Sequence, residues 1–182
     1  MPHFVSPEAV IEGDEPLPQA GVIAYRIRRG GVQVLFVTSR DTGRWIIPKG
    51  NIKPGTSPSQ AAAQEAFEEA GVKGTIVSST PLGIYTYFKQ LKSGEIRAAA
   101  VEVFLLQVKK QLKKWPEKGE RKLAWVSAKK AVGFIEEPGV VPLLVRLIEL
   151  HPIAPLLQAP ITTLRPDDPP NLIDDPLPDT NT

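Results

Sequence analysis

A chain of 182 residues without cysteine has room for one domain with its own core, and it excludes thiol catalysis, zinc–thiolate sites and a disulfide framework. No apolar run reaches the roughly 18 residues that span a bilayer, and the N-terminal MPHFVSPEAVIEGDEP is acidic where a signal peptide is basic and then apolar, so the reading is a soluble, cytoplasmic protein. The net charge of +2 is uneven: residues 1–19 hold four acidic groups and no Lys or Arg, residues 151–182 hold five Asp against one Arg, and the segment between carries +10.

Residues 1–19, with four prolines, read as an extended acidic segment whose Phe4, Val5, Val10 and Ile11 are able to pack on the body. VIAYRIR (22–28) and VQVLFVTS (32–39) are rich in β-branched residues and meet at Arg29-Gly30-Gly31, which predicts a hairpin. A third short strand is expected at 44–47. A helix follows a Gly-Pro-rich loop, its start marked by Ser57 as N-cap, Pro58 at N1 and Gln60 at N3, its end by Gly71. Alternating runs at 72–88 and 96–108 predict further sheet, and the basic run KKQLKK (109–114) is placed in a loop between strands. KLAWVS (122–127) is a last strand, and helices at 127–135 and 138–150 close a domain covering 20–150. The second of these has Val140, Val141, Leu143, Leu144, Leu147 and Ile148 as its buried stripe. Eight of nineteen prolines fall in 151–182, a tail expected to lack a packed fold. His3 and His151 have no partner in sequence and receive no catalytic role. A mixed sheet with helices on its faces is the fold class this order implies.

In GNIKPGTSPSQAAAQEAFEEAGV (50–72), Glu65, Glu68 and Glu69 stand at i, i+3 and i+4, so one helix face carries all three. Like charges so placed repel by roughly 0.2–0.5 kcal/mol per pair, a cost that a divalent cation reverses. An all-oxygen cluster suits magnesium, which keeps several waters, takes one or two carboxylates and completes its shell with substrate phosphate oxygens. The plainer alternative is a solvated acidic face opposite Ala62, Ala66, Phe67 and Ala70.

Gly50, Glu65 fifteen residues later, the Glu68-Glu69 pair, Gly71 and Val72 reproduce the spacing of the Nudix box. The segment resembles that signature of hydrolases that cleave nucleoside diphosphates linked to another moiety. It departs from the signature at two places: Thr56 stands where the family has its first Glu, and Gln64 where it has the Arg before the catalytic Glu. Thr can still brace the loop. Gln offers only neutral hydrogen bonds where Arg makes a charge-assisted pair, so a weakened or differently braced site is expected. Beyond the box, WIIPKG, VKGT, LGIY and WPEKGERKLAWVS are similar to the branch that hydrolyses diphosphoinositol polyphosphates and dinucleoside polyphosphates.

The resemblance implies an α/β (α+β) fold, a Nudix-type α/β/α sandwich, and a phosphohydrolase acting on phosphoanhydrides. It implies that Glu65, Glu69 and the carbonyl of Gly50 hold Mg2+, with Mn2+ as the alternative ion, and that Glu68 accepts the proton. Thr38, Ser39 and Arg40 align with a substrate-contacting triplet and Arg121 with a phosphate-contacting Arg, while Lys49 and Lys89 lie where further phosphates would be met. The basic body points the same way, to a phosphorylated small-molecule substrate rather than nucleic acid or membrane, unless surplus lysines serve solubility alone. KKQLKK has the charge to grip inositol phosphates or RNA, although a solvated turn is the plainer account. Trp45, Trp115, Tyr85 and Tyr87 suit either adenine stacking or packing. Two other readings stand beside the hydrolase: a Nudix-fold nucleotide- or RNA-binding module that has lost hydrolysis, and a nucleoside-triphosphate pyrophosphatase.

Overall fold

The computed structural model describes residues 15–29 and 31–151. In chain order it comprises β1 (Leu17–Arg28), β2 (Gly31–Thr38), β3 (Trp45–Ile46), β4 (Lys49–Asn51), α1 (Pro58–Ala70), β5 (Val72–Ile76), β6 (Gly83–Gln90), β7 (Ile96–Gln111), β8 (Leu123–Ser127), α2 (Ala128–Phe134), a 3-10 turn (Pro138–Val140) and α3 (Val141–Leu150). The strands form one mixed sheet. β1 and β7 run parallel at its centre from Leu17↔Ala99 to Tyr25↔Gln107, and the remaining pairs are antiparallel.

Side chains alternate across a strand, so the sheet buries both faces. Ile23, Tyr25, Val34, Phe36, Val101 and Val103 pack with Ala131, Leu143, Leu144 and Leu147 of α2 and α3. On the other face Val22, Ala24, Leu35, Val37, Phe104 and Leu106 meet Ala61, Ala62, Ala66 and Ala70 of α1. An alanine face lets α1 lie close to the sheet, and Glu69 is buried together with those alanines while Glu65 and Glu68 are half-buried. The layers are those of the expected α/β/α sandwich. Truncating a fully buried anchor such as Phe36 or Phe104 to Ala costs about 3–5 kcal/mol.

The α1 signals act as the sequence predicts. The Ser57 hydroxyl accepts from the Gln60 N–H at 3.3 Å and the Gln60 side chain accepts from the Ser57 N–H at 3.2 Å, a reciprocal cap worth about 1 kcal/mol. Gly71 ends the helix in the left-handed region at φ 65°, and a Cβ there would strike the Trp115 ring.

Four sequence expectations change. β1 begins at Leu17, so the last residues of the presumed N-terminal extension belong to the sheet; residues 1–14 of that extension, and the tail beyond His151, lie outside the described residues. His151 itself packs on Tyr25 with ring centroids 5.0 Å apart. The run at 72–88 is two strands, β5 and β6, and β7 continues to Gln111, which draws Lys109 and Lys110 out of the expected loop into sheet. β5 holds that extension through a bulge at Lys73/Gly74, where a side chain on Gly74 would collide with the Gln107 carbonyl. Among the described residues no helix is long and apolar enough to cross a membrane.

Candidate functional site

The site is assembled where β4 is pinned to β1 by Ala20↔Gly50 and Gly21↔Lys49, directly under the glutamate face of α1. A Cβ on Gly50 would run into the Glu65 carboxylate, so the glycine makes a cradle in which that carboxylate lies against backbone. Burial and the charge of Glu68 push the Glu65 carboxyl up from its ordinary range.

Glu69 is 4% exposed. Its Oε1 pairs with Arg121 Nη2 at 2.5 Å and its Oε2 accepts from the Lys49 N–H at 3.3 Å. Burial still pushes its carboxyl up to about 7, against the pull of Arg121 and with Glu65 adding to the rise. Glu68 stands nearer solvent and accepts from Gln64 Nε2 at 2.6 Å. The residue that replaces the box Arg thus holds Glu68 by a neutral bond, while a cation from outside the box holds Glu69.

These residues line one cleft of about 370 Å³, which also contains Ser39, Arg40, Lys49, Lys89 and Arg121. Of the residues that the resemblance names for the metal, the base and the substrate, all line this cleft except Thr38. Thr38 is buried behind the wall: its Oγ1 accepts from the Lys122 N–H at 3.0 Å and its carbonyl from Arg121 Nη1 at 2.9 Å. The side chain thus fixes the segment that carries Arg121 into β8 rather than facing a ligand.

Arg121 and Lys49 also sit differently from the expectation of free phosphate contacts. The Arg121 guanidinium is divided among Glu69, the Glu117 carboxylate at 2.7 Å and the Thr38 carbonyl. Lys49 Nζ is 2.6 Å from Glu137 Oε1, with the side chain 7% exposed, and burial lowers its pKa. Both cations are spent inside the wall because a buried charge needs a partner. Arg40 is exposed at the mouth, 3.6 Å from Glu117 and 3.3 Å from Glu120, contacts weak enough for a phosphate to displace. Lys89 projects from β6 into the cleft, and no carboxylate among the described residues pairs with it. The Ser39 hydroxyl stays in its turn, bonded to Thr42 Oγ1 at 2.6 Å.

Three contributors escaped the sequence reading. Glu117, four residues before Arg121, had the i,i+4 spacing as a signal. Gln19 had none: it accepts from the Tyr87 hydroxyl at 2.8 Å and donates to Asn51 at 2.8 Å. Glu137 had none either, yet it also accepts from the Tyr85 hydroxyl at 3.2 Å and the Ile47 N–H at 3.3 Å. Of the aromatics, Tyr85 is core, Trp45 packs on Phe134 with centroids 5.0 Å apart, and Tyr87 lines the cleft.

The donors fit a hard divalent cation: all are oxygens, and the Gly50 cradle leaves room for Glu65 beside a backbone carbonyl. Among the described residues no three acidic or histidine side chains close around one point; Glu68 is bonded to Gln64 and Glu69 to Arg121.

The fold is similar to the crystal structure of a C. elegans Ap4A hydrolase, with TM-score 0.56 and 22% identity over 75% of this chain and 98% of that one. In sequence the chain is 34% identical over 108 residues to Nudix hydrolase 13, mitochondrial, of Arabidopsis thaliana, covering 56% of this chain and 52% of that protein. It is 30% identical over 120 residues to diphosphoinositol polyphosphate phosphohydrolase 3-alpha of Mus musculus, covering 65% and 68%. The match spans only about half the length of the plant relative. The sequence model of the NUDIX domain matches residues 17–148, a span that holds every residue of the cleft, and the chain belongs to the Nudix family.

Proposed function

We propose that the cleft hydrolyses a phosphoanhydride bond of a highly phosphorylated small molecule, a diphosphoinositol polyphosphate or a dinucleoside polyphosphate. The observation that carries this reading is the meeting of Glu65, Glu68 and Glu69 with the Gly50 cradle in one cleft whose mouth is edged by Arg40 and Lys89. The name of the mouse relative supports an inositol substrate.

Glu65, Glu69 and the Gly50 carbonyl would hold Mg2+ or Mn2+, which when bound neutralises phosphate charge and lowers the pKa of water. Arg40 and Lys89 orient the phosphate chain for in-line attack. Glu68 takes the proton of the attacking water as the oxygen–phosphorus bond forms and the bridging bond to the leaving phosphate breaks. A general base contributes typically about 10²–10⁴-fold, so charge neutralisation and positioning supply the larger share. Arg121 and the Lys49 N–H set Glu69 in place, the service that the family's box Arg performs and Gln64 cannot. We place the activity in the cytoplasm; fractionation with mitochondria, the compartment named for the plant relatives, would move it.

The test is phosphate release from a diphosphoinositol polyphosphate, diadenosine polyphosphates and nucleoside triphosphates, with and without magnesium, for wild type and Glu69→Gln. Magnesium-dependent turnover lost in the variant supports the reading. The competing possibility, a binding module, draws on the Gln64–Glu68 and Arg121–Glu69 contacts, which already engage two of the three carboxylates. It wins if ligand raises the melting temperature equally with and without magnesium while no phosphate is released.

A further inference from the structure

The basic run that was expected in a loop has a definite place. β1 and β7 remain paired up to Tyr25↔Gln107 and then part: Arg26, Ile27 and Arg28 pair with β2, and the end of β7 pairs with β5. The divergence opens a notch of about 230 Å³ between the strand ends, lined by Arg26 and Arg28 on one side, Lys109 and Lys110 on the other, and Trp125 of β8.

The notch shares no residue with the catalytic cleft. Gln19 of the cleft and Arg26 of the notch lie on the same strand, about 23 Å apart at 3.3 Å per residue.

Its cations differ from those of the cleft wall in lacking carboxylates. Arg26 Nε donates to Gln33 at 2.8 Å and its guanidinium lies 3.9 Å from the Trp125 ring centroid. Trp125 is itself held by Gln111 at 3.1 Å, and Lys109 Nζ donates to Gln107 at 2.8 Å. Every partner is neutral, and no carboxylate among the described residues pairs with Arg26, Arg28, Lys109 or Lys110. Burial and the neighbouring Arg28 charge lower the Arg26 pKa, as expected where positive charge is left uncompensated. A guanidinium fixed by stacking and a glutamine keeps its other donors aimed and loses little freedom on binding.

We propose that this notch is a second anion site, taking the phosphate groups of a small multiply charged molecule. Phosphate suits the donors, since guanidinium and ammonium groups make charge-assisted bonds to its oxygens. A confined notch favours a short phosphate chain over single-stranded nucleic acid, which needs a long basic track with open aromatic faces. Here one Trp125 face is already covered by Arg26.

The experiment follows the tryptophan indole N–H signals of the full chain by NMR, the Trp125 signal being assigned with Trp125→Phe. Inorganic pyrophosphate is titrated without divalent metal at constant ionic strength. Saturable movement of the Trp125 signal is expected, retained in Glu69→Gln. The apparent affinity should fall roughly tenfold or more in the Arg28→Gln, Lys110→Gln double variant, because two charge-assisted contacts are lost, while its melting temperature is unchanged. Both replaced side chains are exposed, so the fold should tolerate them. A Trp125 signal that does not move, or that moves equally in wild type and the double variant, overturns the proposal. So does tighter binding of a single-stranded oligonucleotide that grows with its length, which would make the notch part of a nucleic-acid surface. None of these outcomes depends on whether the cleft hydrolyses anything.

Discussion

Arg121 Nη2 meets Glu69 Oε1 at 2.5 Å with both side chains nearly excluded from water. The glutamate helix is thereby tied to the segment leading into β8, and the tie is ionic where the box itself offers only Gln64. Replacing Arg121 by Gln leaves a carboxylate buried without its cation. Breaking a buried pair from one side costs about 3–5 kcal/mol, so denaturant melts should show a loss of that order. Turnover should fall with it even at temperatures where the variant remains folded. A melt within experimental error of wild type would show that the pair holds nothing together.

Gly50→Ala separates chemistry from folding. The added Cβ meets the mobile end of Glu65, which can swing away at a cost of about 1 kcal/mol, the low end for overpacking. The displaced carboxylate is the price, and misplacement by about 1 Å is enough for a roughly 10²-fold loss of rate. Steady-state kinetics beside a thermal melt checks both halves.

Lys49→Met tests whether this lysine supports the wall or grips substrate. With Nζ gone, Glu137 is buried facing Tyr85 and the Ile47 N–H alone, and a loss of about 3–5 kcal/mol is expected. Combining it with Glu137→Gln should restore a large part of that loss, because no uncompensated charge remains. A rise in KM with no change in stability would instead return Lys49 to the phosphate contacts.

Lys89→Gln should behave in the opposite way. The side chain is half-buried at the cleft and has no carboxylate partner among the described residues, so stability should change by no more than about 0.5 kcal/mol. If the ammonium holds phosphate equally in ground and transition states, KM rises severalfold and kcat stays constant.

Tyr87 provides an alkaline signature. Burial pushes its hydroxyl up to about 12, with the Glu137 charge adding to the rise. Its ordinary value is 10.0, so between these pH values the unfolded chain has released a proton that the folded chain retains. Stability is therefore full below pH 10 and falls as pH rises toward 12. Solvent reaches part of the ring and screens the effect, so the fall attributable to this group is of order 1 kcal/mol. Chemical melts at pH 9 and 11 should show a smaller difference in Tyr87→Phe than in wild type; an equal difference would mean that the hydroxyl titrates normally when folded.

The extent of the legible site follows from the range of each signal. The α1 caps, the helical register of Glu65, Glu68 and Glu69 and the Gly50 position depend on residues within a few turns of one another, and local spacing specifies them. The first half of KKQLKK was misread because hydrophobic alternation stops at Val108 while backbone pairing with β5 continues to Gln111; residues 112–114 leave the strand as expected. Sheet hydrogen bonds do not require apolar side chains, and charge alone does not reveal them.

Sequence by itself determined the fold class and the glutamate helix, because periodicity and capping are local properties of the chain, while the polar residues around that helix were named by the resemblance to the Nudix box and its branch. Only the tertiary structure decided what each charge does: that Thr38 stands behind the wall, that Lys49 and Arg121 are consumed by Glu137 and Glu69, and that four cations gather uncompensated where β1 and β7 part. The reason is that the partner of a buried charge is chosen by packing between segments far apart in the chain, and the cost of leaving it unpaired depends on a burial that exists only after folding.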